Sequence, residues 1–178
     1  MFVTAEIRWF HPGPLPPDAE AWFGEVIAVA CVEARTDRYL VPVADDCGEK
    51  LREGRAESKQ RLATARPLVC GSAAGTPEVW SKTVVDDLPD RRSVEVAKRR
   101  RYGRVETRGG RCTLELAALD VAGEAWWTVG LEASGQGPGR RLPALREAAQ
   151  RWLTHAAAPD LPAAAARAYP AWLRERCG

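Results

Sequence analysis

The chain opens on a clean alternation. In "VTAEIRWF", Val3, Ala5, Ile7 and Trp9 share one face while Thr4, Glu6 and Arg8 share the other, the period-two signature of a strand. The prolines of "HPGPLPP" cannot continue a sheet ladder and mark a turn leading into a helix. Helical spacing of Trp22, Val26 and Val29 predicts an amphipathic helix over 18–34. Short strands are expected at "TDRYLV", "EKLREG" and "ESKQRLA", followed by a loop around "VCGSAAGTPE". Four more strands are read at "VWSKTVV", "SVEVAKRRRY", "RCTLELAALDVAG" and "AWWTVGLEASG". The tail changes character: "LPALREAAQRWLTHA" and "LPAAAARAYPAWLRERC" are Ala-rich and helical in spacing. No internal repeat is present, and only "LPAAAARA" approaches low complexity.

The polar faces of these strands carry dense charge. Lys50 pairs with Arg52, Glu57 with Lys59 and Arg61, Lys98 with Arg100, Thr113 with Glu115, and Thr128 with Glu132. Between them stand apolar residues such as Leu51, Leu114, Leu116 and Leu131. Half-buried strands usually turn such charge to water. On that arrangement "KRRRYGR" at 98–104 is a solvated run, or a surface patch for RNA, which is the weakest option. The inverted arrangement packs the apolar faces against helices and turns the charges inward. A closed barrel of about eight strands leaves room for one small ligand. Inward charges are tolerable when paired, hydrated or matched by a bound ion. A surplus of cations would attract a polyanion, and the carboxylates could ligate a divalent metal.

Composition narrows the classes. At 178 residues, 46% hydrophobic and 28% charged, the chain is expected to be one globular domain over 1–178, with its strands at about 2–135 and a helical region at 140–176. A formal net charge of +2 is too small for a general nucleic-acid binder. No apolar run is long enough to cross a bilayer, and charges interrupt the place of a signal peptide's apolar region. Five cysteines without CxxC spacing are expected to be reduced thiols in a cytoplasmic protein. His11 and His155 are expected at the surface, and the tryptophans in packed interfaces.

The order of these motifs resembles the CYTH superfamily, the triphosphate tunnel metalloenzymes. The resemblance runs from Thr4 to about Gly135, through an R-x-D-x-Y-L element, G-x-K-L-R, E-x-K-x-R, a K-x-R strand and two late strands with glutamates. It implies an α+β protein built on an antiparallel eight-stranded tunnel, with helices outside and at the C-terminus. Arg8, Lys50, Arg52, Lys59, Arg61, Lys98 and Arg100 would bind substrate, and Glu6, Lys59 and Arg61 would be catalytic. Glu6, Glu115 and Glu132 would hold Mg2+ or Mn2+. The implied activity is divalent-metal-dependent hydrolysis of a triphosphate or short polyphosphate. The alternative is a non-catalytic binding module for polyphosphate, a nucleotide or a related anion. The chain departs from the pattern at Thr4 and Gly130, where the family carries carboxylates, so phosphate gripping is better preserved than metal binding.

Overall fold

The computed structural model describes every residue except Gln136, Pro138 and Gly178. The opening alternation forms β1 (Phe2–Pro12), and after the proline turn comes α1 (Pro17–Val26). Next are β2 (Cys31–Leu40), β3 (Cys47–Arg52), β4 (Arg55–Thr64) and a short pair, β5 (Leu68–Cys70) and β6 (Ala73–Gly75). The long strands β7 (Glu78–Val85), β8 (Ser93–Thr107), β9 (Gly110–Val121) and β10 (Glu124–Ser134) complete the β region. Helix α2 (Arg141–Leu153), a 3₁₀ turn at Ala163–Ala165 and α3 (Tyr169–Cys177) follow.

Eight strands among the described residues close into an antiparallel barrel in the order β1-β10-β9-β8-β2-β3-β4-β7, with β7 returning to β1. Closure leaves no open edge on the main sheet. Tight hairpins set the register. Glu53 and Gly54 join β3 to β4, and Ala122 and Gly123 join β9 to β10, all four at positive φ. A two-residue connection of that kind matches the natural twist of the strands it joins.

The apolar faces point outward, as the inverted arrangement requires. Ile7 and Trp9 of β1, Leu114 and Leu116 of β9, and Val129 and Leu131 of β10 form one buried layer with Trp22 and Phe23 of α1 and Leu145, Ala148 and Trp152 of α2. Burying each large side chain there contributes about 1.5–3 kcal/mol. Gly103 of β8 allows Ile27 to lie flat on the strand, since a Cβ there would come within 2.3 Å of the Ile27 side chain.

Four expectations change in detail. The helix predicted over 18–34 ends at Val26, and Cys31 to Ala34 belong to β2. The β-branched run of Val26, Ile27, Val29 and Val32 favours extended backbone, and β2 pairs with β8 along its whole length. The loop around "VCGSAAGTPE" contains the β5–β6 hairpin, which covers part of the outer core. The tail helices are shorter than their spacing predicts, and "LPAAAARA" supplies a 3₁₀ turn and extended chain. Finally, α3 stops one end of the barrel instead of lying along its flank. Its Trp172 and Leu173 pack among inward-facing Phe10, Val96, Leu119 and Val121.

Candidate functional site

Strand pairing places the charged faces on the inside together. Glu6 lies opposite Glu132, Arg8 opposite Gly130, Gly130 opposite Glu115, Arg100 opposite Glu33, and Lys50 opposite Glu57. They enclose a cavity of about 460 Å³ whose lining includes Arg8, Arg35, Lys50, Arg52, Lys59, Lys82, Lys98, Arg100 and Arg104. Five carboxylates, Glu6, Glu49, Glu57, Glu115 and Glu132, line it with them, and two more, Glu33 and Asp37, pair with these cations from behind. Phe2 and Val84 also line it and remain exposed, marking an open mouth away from α3.

Three clusters organise the interior. In the first, both oxygens of Glu6 are engaged: Oε2 accepts from Lys59 at 2.5 Å, and Oε1 from Thr4 at 2.6 Å, with Lys82 at 2.7 Å. Lys82 also donates to Glu132 at 2.8 Å, while Lys59 Nζ lies 4.3 Å from the ring centre of buried Trp80. In the second, Glu115 is held by Arg8 at 2.7 Å and Arg100 at 2.6 Å. Arg8 donates to Thr128 at 2.8 Å, and Arg100 to Glu33 at 2.6 Å. In the third, fully buried Asp37 meets Lys98 at 3.0 Å, Arg35 at 3.1 Å and Arg52 at 3.2 Å. Lys98 donates to the Tyr39 hydroxyl at 2.6 Å and lies 4.1 Å from the centre of the Tyr169 ring.

Burial acts on both signs of charge, and the partners decide the outcome. Burial drives Lys50 down to about 8, and the Arg52 charge adds to the fall. Burial likewise weakens the proton hold of Lys59 and of Lys98, against the opposing pull of Glu6 and Asp37. For the carboxylates burial alone would raise the pKa, but the neighbouring cations outweigh it. Lys59 and Lys82 hold Glu6 well below the usual range, and Arg8 and Arg100 hold Glu115 at about 2. Glu6 and Glu115 are therefore ionised, while burial makes the charge on Lys50, Lys59 and Lys98 costlier to hold.

The divalent ion implied by the resemblance does not fit these carboxylates as they stand. A hard cation needs oxygen atoms with free lone pairs. Glu6 is engaged through both oxygens, as is Glu115, and Glu132 is held by Lys82 through one. At the two departing positions the Thr4 hydroxyl donates to Glu6, and a Cβ on Gly130 would lie 2.6 Å from Arg8 Cζ. Among the described residues, no three His, Cys, Asp or Glu side chains are grouped to hold a metal.

Of the residues read from the sequence, Glu6, Arg8, Lys50, Arg52, Lys59, Lys98, Arg100, Glu115 and Glu132 line the one cavity. Arg61 does not. It stays in register opposite Trp80 on the same face as Lys59, but it pairs with Glu78 at 2.7 Å, off the main lining. The run 98–104 is split by the strand: Lys98, Arg100, Tyr102 and Arg104 face the cavity, and Arg99 is exposed on the outside. Sequence reasoning missed Glu33, Arg35 and Lys82. The first two lay within or beside the supposed helix; Lys82 has no charged neighbour two residues away, so no pattern marked it. Tyr39 is buried in the third cluster. His11 is half-buried and stacks on Trp127 with ring centres 4.2 Å apart.

The architecture is the closed antiparallel tunnel that the CYTH resemblance implies. No family model and no curated protein matches the chain. Two solved structures are similar in chain course. One is the S. pombe Pct1 RNA triphosphatase in complex with the Spt5 CTD, at 10% identity over 89% of this chain and 78% of that one, with a TM-score of 0.47. The other is S. pombe Pct1 RNA triphosphatase, at 9% identity over 85% and 81%, with a TM-score of 0.49. Likeness at this level leaves the chemistry to the tunnel's own side chains.

Proposed function

We propose that the protein binds a linear phosphorylated anion inside the barrel: triphosphate, a short polyphosphate or the triphosphate end of a nucleotide. The observation that carries this reading is the excess of cations in and around one cavity, nine against the seven carboxylates that line it or pair with its cations. Lys50, Lys59 and Lys98 all hold their protons less firmly because of burial. An incoming anion supplies the missing counter-charge, and charge-assisted bonds to phosphate oxygens contribute about 1.5–3 kcal/mol each. The cavity volume of about 460 Å³ suits a small ligand.

This favours the binding module over metal-dependent hydrolysis, because Glu6 and Glu115 are paired with cations through both oxygens and Glu132 with Lys82 through one. Binding involves Arg8, Lys50, Arg52, Lys59, Lys98 and Arg100, with Glu6, Glu115 and Glu132 spacing the cations apart. All five cysteines are free, and no helix among the described residues is long and apolar enough to cross a membrane.

Calorimetry with phosphate, pyrophosphate, triphosphate and a nucleoside triphosphate, each with a chelator present, tests the reading. Affinity should rise with phosphate chain length and survive the chelator. Release of phosphate in magnesium or manganese would establish the hydrolase instead, and triphosphate binding only with those ions would reject the metal-free site. No binding of any member would remove both.

A further inference from the structure

Two inward carboxylates meet at the mouth side of the tunnel, and a lysine stands between them. Glu6 and Glu132 are directly opposite in the β1–β10 register, a placement that repels when both are charged. Lys82 reaches them from β7, with Nζ 2.7 Å from Glu6 Oε1 and 2.8 Å from Glu132 Oε2. An ammonium has three donors. Two are spent here, and the third is left for a ligand in the cavity that Lys82 lines.

We propose that Lys82 is the tunnel's resident cation: its ammonium occupies the place between Glu6 and Glu132 that a divalent ion would need, so the site takes its anion free of metal. A tethered ammonium neutralises the two carboxylates and offers an N–H to a phosphate oxygen. It supplies neither the Lewis acidity nor the activated water that a metal brings. The same replacement recurs nearby: Arg8 fills the space over Gly130, and the Thr4 hydroxyl bonds to Glu6. Protein groups thus meet Glu6 and fill the space at Gly130, two of the positions where a metal would be held. Lys82 thereby selects the uncomplexed polyanion over its magnesium complex. This selectivity rests on the anion-binding reading, but the placement of the cation can be tested without any phosphate ligand.

The experiment is a Mn2+ titration followed by the paramagnetic signal of the free ion, on the wild type, Lys82→Ala and Lys82→Ala/Glu132→Gln. Lys82→Ala should bind Mn2+ at least tenfold more tightly than the wild type, and the added Glu132→Gln should abolish the gain. A wild type that binds Mn2+ as tightly as Lys82→Ala overturns the proposal, as does a folded Lys82→Ala without any gain. A second measurement needs only the native protein: amine labelling of Lys82, read by mass spectrometry with and without Mn2+. Labelling unchanged by Mn2+ supports the proposal. Labelling accelerated by Mn2+ would mean the ion displaces Lys82, and that overturns it. Failure of triphosphate to bind would leave both metal readouts standing, so the two readings fail separately.

Discussion

Arg8 fills the space of a side chain that Gly130 lacks: a Cβ on Gly130 would sit 2.6 Å from Arg8 Cζ. That vacancy lets the guanidinium reach Glu115 and Thr128 from the facing strand. The obstructing atoms are the far end of a flexible side chain, so Gly130→Ala should fold with only a small loss of stability. Arg8 would move out of line, however, losing charge-assisted bonds of about 1.5–3 kcal/mol each. Triphosphate affinity should therefore fall by roughly tenfold or more while the melting temperature shifts by only a few degrees. Calorimetry beside thermal melting checks this, and unchanged affinity would show that Arg8 does not touch the ligand.

Lys59 and Arg61 look equivalent in "ESKQRL", but the structure separates them. Lys59 lines the cavity beside Glu6; Arg61 sits against Glu78. Lys59→Ala should weaken triphosphate binding by about 1.5–3 kcal/mol, whereas Arg61→Ala and Arg99→Ala should change it little. Equal losses in all three variants, measured by calorimetry, would show that overall charge and not a formed site does the binding.

Much of this site could be read from alternation alone, because a strand puts every second residue on one face. The basic pairs 50/52 and 98/100 and the glutamates at 6, 115 and 132 were found that way. What stayed hidden depended on contacts distant in sequence. Cys31 to Ala34 carry both helical and strand spacing, and only pairing with β8 decides between them. Lys82 is a lone lysine among Ser81 and Thr83, informative only once β7 closes the barrel beside β1. Arg61 shares the face of Lys59, and only its distant partner Glu78 draws it off the main lining. Tyr169 joins the site through α3, which reaches the barrel end after more than thirty intervening residues.

Glu115 ties folding to acid. Burial would raise its pKa, but Arg8 and Arg100 bring it from the ordinary 4.5 to about 2. A carboxylate depressed in the folded state stabilises it above the unfolded pKa, and that stability is lost as pH falls from about 4.5 towards 2. The difference amounts to about 3 kcal/mol. Glu115→Gln should remove this component and leave buried Arg8 short of a counter-charge, while Arg100 keeps Glu33, costing about 3 kcal/mol at neutral pH. Urea denaturation at pH 7 and pH 3 tests both statements. The wild type should lose more stability between the two than the variant does, and identical pH dependence would reject the assignment.

Lys50 ties anion binding to protons. Burial and the nearby Arg52 lower its pKa from 10.5 to about 8, with Asp37 and Glu57 opposing. Between those two values the unfolded chain holds more protons than the folded one, so this residue contributes rising stability as pH climbs from about 8 to 10.5. A bound polyanion reverses the balance, because nearby negative charge favours the ammonium. Binding at pH 8.5 should therefore take up roughly half a proton or more at Lys50, and almost none at pH 6.5, where it is already charged. The uptake is measured from calorimetric heats in two buffers of different ionisation enthalpy. Lys50→Met is the control, since Arg52 remains beside both Asp37 and Glu57 to hold the cluster together. The variant should bind more weakly at pH 6.5 and lose most of the uptake at pH 8.5. Equal proton uptake by wild type and variant would mean that the anion does not sense Lys50, and the deeper half of the tunnel would lie outside the binding site.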